Sequence, residues 1–127
     1  MLIAAFALLA AAVSFGAVLA VQYLRREVGN ATPWPLAALH GVIGIGGLCC
    51  LILALRGPPR GLDQGTASFG AIAATLLTLA AFAGLGILLM QRGKSERGKR
   101  QRAGTLIGLH ATLAISGFVV LAAYLMA

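Results

Sequence analysis

Two side chains in this protein could do chemistry inside an apolar layer, and they are its only histidines, His40 and His110. Each interrupts a run otherwise fit for the interior of a bilayer, LAALHGVIGIGGLCC from Leu36 to Cys50 and LIGLHATLAISGFVV from Leu106 to Val120. A neutral imidazole offers one nitrogen that donates and one that accepts, so it can hydrogen-bond, carry a proton or ligate a metal. An ionisable group within a membrane span is costly, faces the bundle interior with a partner, and by default reads as functional. No acid supplies that partner, because Glu27, Asp63 and Glu96 all fall between the apolar runs. This also removes the paired carboxylates of a proton relay. Each histidine is left with the other as partner, through something held between them.

The elements that must position them are four apolar segments, Leu2 to Gln22, Leu36 to Leu55, Ser68 to Met90 and Gly104 to Met126. Each is close to the roughly 20 residues a helix needs to cross about 30 Å of hydrocarbon. Across 127 residues, 60% are hydrophobic and 10% charged, and the mean hydropathy is +0.95, which leaves nothing over for a soluble domain. The segments are continuously apolar and rich in Ala, Leu and Gly, without the alternation of a β-barrel, so helices must satisfy the backbone. The expected fold is an all-α integral membrane four-helix bundle, one transmembrane domain over residues 1–127. The first segment lacks a basic region ahead of it and is long for a signal core, so it is read as a retained helix.

A net charge of +7 could point to nucleic acid, but the basic residues follow the positive-inside bias and no nucleic-acid partner is expected. Arg25 and Arg26 lie in the first loop, and Arg92, Lys94, Arg97, Lys99, Arg100 and Arg102 in the third. Only Arg56 and Arg60 lie in the second. The expected topology places both basic loops in the cytoplasm and both termini outside, in an inner (cell) membrane or its equivalent. Tyr23 and Trp34 would join the cytoplasmic aromatic belt and Tyr124 the outer one. The loop QRGKSERGKRQR, too poor in apolar residues to fold alone, is expected to be solvated, to meet anionic lipid, and to help dock a partner.

Sliding the chain against itself by seventy residues aligns the first two segments with the last two. Leu9 then falls on Leu79, Ala10 on Ala80, Ala11 on Ala81, Gly16 on Gly86, Leu36 on Leu106, Leu39 on Leu109, His40 on His110, Ile45 on Ile115 and Gly47 on Gly117. Two tandem helical hairpins related by a pseudo-twofold axis along the membrane normal follow. Both histidines then sit at one depth, roughly 6–9 Å inside the apolar layer at about 1.5 Å per residue.

Residues four and seven positions after a histidine share its helix face. They are Gly44 and Gly47 after His40, and Ala114 and Gly117 after His110, so the repeated signature is H-x3-[GA]-x2-G. A smooth face beside an imidazole suits a flat macrocycle, and two histidines at one depth suit the two axial positions of one haem iron. Arg25, Arg26, Arg100 and Arg102 lie near the level at which propionates would emerge. Cys49 and Cys50, adjacent in mid-span, lack a metal-site spacing and read as small apolar fillers.

With four spans and paired histidines, the architecture resembles the b-type membrane cytochromes, particularly four-helix, cytochrome b561-like electron carriers and the haem-bearing anchor subunits of respiratory dehydrogenases. The resemblance covers all four spans and implies His40 and His110 as axial ligands of a single haem b. A two-haem b561 pattern needs four histidines, so the departure implies one haem that relays electrons near the cytoplasmic face without carrying them across. No nucleotide fingerprint, CxxC motif or acid pair is present, which makes an electron-transfer subunit of a redox or quinone-linked complex a better expectation than a stand-alone enzyme. Homo-oligomerisation is also open.

Two rivals belong to other classes. In one, each histidine ligates its own chlorophyll-type pigment. In the other, a cofactor-free structural or assembly subunit bonds its histidines to Ser14, Thr75, Thr78 or Ser116. Transport is the weakest reading, since the spans contain no acid and no proline-broken helix.

Overall fold

The computed structural model describes residues 1–25, 34–58, 60, 65–90 and 103–127, and the backbone alone at 91 and 97–102. Four helices run α1 Leu2–Arg25, α2 Trp34–Ala54, α3 Phe69–Gln91 and α4 Arg97–Met126, with no strand among the described residues. Each is long and apolar enough to cross a membrane, and together they make a multi-pass four-helix bundle. Local chemistry marks the ends. Pro35 occupies the first turn of α2, where its missing N–H costs no helical bond. Gly65, with a φ of 68°, takes the left-handed turn before α3 that a side chain would resist.

Two sequence expectations change. The first turns of α4 run back into the basic loop as far as Arg97, because Lys, Arg and Gln are good helix formers and extend a span that is already nucleated. Tyr124, expected in an aromatic belt, is only 4% exposed and belongs to the core. Its ring packs on Gly70, where an added Cβ would lie 2.9 Å from Cε1. Trp34 stays outside, 75% exposed.

The helices pack first as pairs, α1 on α2 and α3 on α4, and these hairpins then meet through narrower α1–α4 and α2–α3 contacts. The two hairpins use equivalent residues. Leu51 and Leu121, seventy apart, are both fully buried, and Gly47 and Gly117, also seventy apart, each pack on a leucine pair of the preceding helix. Those pairs, Leu8–Leu9 and Leu76–Leu77, are sixty-eight apart. The ungapped seventy-residue register therefore holds for α2 and α4 but not for α1 and α3. At sixty-eight, Ala5, Leu8, Leu9, Ala12 and Gly16 fall on Ala73, Leu76, Leu77, Ala80 and Gly84, a face at i, i+3, i+4, i+7 and i+11 that each hairpin turns inward. The connection from α3 to α4 is two residues longer than that from α1 to α2, His110 following Ala80 by 30 positions where His40 follows Ala12 by 28, so no single shift could align both helices.

Burial is confined to one end. The core joins Leu2, Ala5 and Leu9 of α1, Leu48 and Leu51 of α2, Ala73 and Leu77 of α3, and Leu121 and Tyr124 of α4, with Phe6 and Phe118 stacked at 4.9 Å across the hairpins. Toward the basic loops the picture reverses: over 13–25, 34–46, 81–90 and 103–116, no described residue is buried. Close packing stops at the level of Ala12 and Ala80, and the histidines sit where it stops.

Candidate functional site

His40 comes from α2 and His110 from α4, which stand diagonally in the bundle because neither packs directly on the other. Their rings nevertheless meet, with centroids 5.8 Å apart and planes at 78°. The pairing across the hairpin seam at a common depth is the arrangement the repeat implied.

Each ring is anchored within its own hairpin. His40 Nδ1 lies 2.8 Å from the carbonyl oxygen of Ala12, and His110 Nδ1 lies 2.7 Å from that of Ala80. A carbonyl only accepts, so Nδ1 must carry the proton in both rings, and in the neutral imidazole this makes Nε2 the lone-pair nitrogen. Neither Nε2 has a hydrogen-bond partner among the described residues, and neither is sealed from the space between the helices. The site thus presents two oriented, uncommitted donor nitrogens, facing a region of loose packing.

The hydroxyls that could have competed are spent locally. Ser14 donates to Ala10 O, Thr75 to Ala71 O, Thr78 to Ala74 O and Thr112 to Gly108 O, each at i−4 in its own helix. Ser14, Thr75 and Thr78 therefore do not take the part of histidine partner that a cofactor-free subunit would give them; backbone carbonyls do. No cluster of three or more metal-ligating side chains occurs among the described residues. Among the described residues a metal held here would find two protein ligands, His40 and His110, and would take the rest of its sphere from elsewhere.

The remaining candidates fall in three places. Gly44 faces Ala12, with an added Cβ 3.8 Å from that methyl. Gly47 and Gly117 lie one turn further on, under the leucine pairs of α1 and α3, while Ala114 is half-buried between them and His110. Arg25 is exposed in the last turn of α1, where a cation also complements the helix dipole. Arg100 and Arg102 lie on the helical backbone of α4 below the site, with side chains outside the described residues. Cys49 is exposed and Cys50 half-buried against the core, both free.

Ala12, Ala80, Gly16 and Gly84 were not legible as site residues. Their part is played by two backbone carbonyls and two missing methyls, and only the sixty-eight-residue register would have set them side by side. Gln22 is a further one. Two turns beyond Gly16, on the loosely packed half of α1, its Oε1 is buried without a partner, and an acceptor so placed calls for a donor that the described residues do not supply. Compared with known proteins, the chain matches no family model, no curated protein and no solved structure, so its site is read from its own geometry.

Proposed function

We propose that this protein is a membrane-bound b-type cytochrome in which His40 and His110 hold one haem b between the two hairpins. The carrying observation is the pair of imidazoles at one depth, each with Nδ1 committed to a carbonyl and Nε2 free. Metal–imidazole bonds of about 2 Å put two opposed Nε2 atoms roughly 4 Å apart and the ring centres roughly 6 Å apart. The 5.8 Å separation is of that size. Two pigments, each on its own histidine and stacked at about 3.5–4 Å, would need ring centres roughly 10 Å apart, so the distance favours a single macrocycle.

A haem so held supplies one-electron chemistry. The chain's part is to fix both imidazoles by carbonyl bonds and to seal the far end with the Leu51 and Leu121 core. It also keeps the site at one depth, which suits relay near one membrane face over passage across it. Electrons would enter and leave through partners, a quinone or the other subunits of a redox complex, with the basic 91–102 segment as a docking surface beside anionic lipid. A reduced-minus-oxidised optical spectrum of the purified chain tests this directly. The expected result is the sharp low-spin bands of a six-coordinate b-type haem, and a pigment spectrum would replace the reading with the photosynthetic one.

The Nδ1–carbonyl bonds also favour a second reading, in which each histidine only ties its hairpin together and nothing is bound. Colourless protein that keeps its fold after expression with ample haem would establish that reading.

The orientation in the membrane is part of the same proposal. With eight of ten basic residues in the first and third loops, a cysteine at Ser95→Cys should resist an impermeant reagent in intact cells while Gly61→Cys reacts. Labelling at 95 with none at 61 would place the histidines in the opposite leaflet.

A further inference from the structure

The imidazole–carbonyl bonds depend on two glycines to which electron transfer itself gives no role. In a helix the carbonyl of residue i points along the axis and accepts the N–H of residue i+4. An imidazole approaching that carbonyl from a neighbouring helix must pass the side chain at i+4. Four residues after Ala12 stands Gly16, and four after Ala80 stands Gly84.

A Cβ at Gly16 would lie 3.0 Å from His40 Cε1 and 3.4 Å from Nδ1; at Gly84 it would lie 3.1 Å from His110 Cε1 and 3.2 Å from Nδ1. Carbon contacts are comfortable at about 3.5–4.0 Å, so a methyl would push each ring back by several tenths of an ångström. The rings have nowhere to go without lengthening bonds of 2.8 and 2.7 Å. The same device occurs once in each hairpin, whereas Gly41, Gly46, Gly86 and Gly108 of the same spans have nothing within 4 Å of an added Cβ.

We infer that Gly16 and Gly84 are positioning residues that set the tautomer of the ligand imidazoles: they admit each ring to the Ala12 or Ala80 carbonyl, which holds the proton on Nδ1 and presents Nε2 as a lone pair. The purpose of the device rests on the proposed haem, but its geometry does not. A polarised Nδ1–H makes the opposite nitrogen a stronger donor, which stabilises ferric over ferrous iron and lowers the potential of the couple.

The test uses the full chain with 15N-labelled histidine, first without haem in alkaline buffer. The expected spectrum shows both histidines as Nδ1–H tautomers. Gly16→Ala should convert His40 to a mixture containing the Nε2–H form and leave His110 unchanged, Gly84→Ala should do the converse, and Gly86→Ala should do neither. In the haem-loaded chain, Gly16→Ala or Gly84→Ala should shift the ferric/ferrous ratio toward ferrous by about tenfold at fixed potential, which is 59 mV for one electron.

An Nε2–H tautomer in the unmodified chain would overturn the inference even if no variant folds. So would an alanine variant that leaves its own histidine's tautomer, or the loaded potential, unchanged. A chain that takes up no haem but shows the predicted tautomers sinks the cytochrome reading alone, and a loaded chain whose tautomers ignore the glycines sinks this inference alone.

Discussion

His40→Ala and His110→Ala should each abolish the six-coordinate low-spin spectrum of the proposed haem completely, because an iron held between the two needs both imidazoles at once. The equivalence of the two hairpins makes the effects equal in kind. Each substitution also deletes one imidazole–carbonyl bond, but a single hydrogen bond between membrane helices contributes about 0.6 kcal/mol on average. The bundle should therefore stay folded, and circular dichroism should change little while the optical bands disappear. Loss of colour with retained helix separates ligand removal from unfolding. A bis-histidine spectrum surviving in either variant would show that this pair does not hold the iron. Stepwise loss of one pigment per histidine would point instead to two separately ligated macrocycles, against the 5.8 Å ring separation.

The largest effect on stability is expected from Gly47→Leu and Gly117→Leu. A Cβ at Gly47 would stand 2.8 Å from Leu9 Cγ and 3.2 Å from Leu8 Cβ, and one at Gly117 would stand 2.9 Å from Leu77 Cγ and 3.1 Å from Leu76 Cβ. A whole isobutyl group cannot be absorbed by a rotamer change, so α1 must move off α2, or α3 off α4. Overpacking of this kind costs typically 1–3 kcal/mol. Leu9 is one turn from Ala12, so the displacement should also stretch the bond to His40 and reduce haem content as a secondary result. Gly46→Leu, which points into open space, is the matched control. Denaturation in detergent micelles should rank both substituted glycines well below it. Equal stability of Gly47→Leu and Gly46→Leu would mean that the hairpins are not held by this contact.

The spans were legible because continuous apolarity over some twenty residues has one solution in a bilayer. The structure begins α1 at Leu2 and ends α4 at Met126, as hydropathy implied. His40 and His110 were legible as a pair because imidazoles are rare in such runs and occupy one register. Tyr124 was misplaced for an understandable reason. Aromatic residues near span ends do favour the interface, yet Gly70 opens a space on α3 that only the three-dimensional crossing reveals. Gly47 and Gly117 suggested a smooth face for a ligand, while their closest neighbours are leucines of the adjacent helix. Spacing identifies which face a glycine occupies, but only the crossing of two helices identifies what lies opposite. The carbonyl partners escaped altogether, because every residue has a carbonyl and nothing in a side-chain pattern says which one a neighbour will reach.

The helices pack most extensively within single hairpins, while the buried core and the histidine pair are shared between them, and this has a consequence for assembly. Each hairpin holds its own imidazole in place by an internal bond and closes its own glycine–leucine contact, so a half-length chain already contains everything except its counterpart. Two such halves on separate polypeptides would have to find each other at a rate set by their abundance in the membrane. Joined through residues 55–68, they meet at a high effective concentration fixed by the tether. Covalent fusion also leaves the two halves free to differ at their ends, as the heavily basic 91–102 segment and the sparsely basic 23–35 segment do, so that one side can specialise in recognition while the shared centre keeps its symmetry.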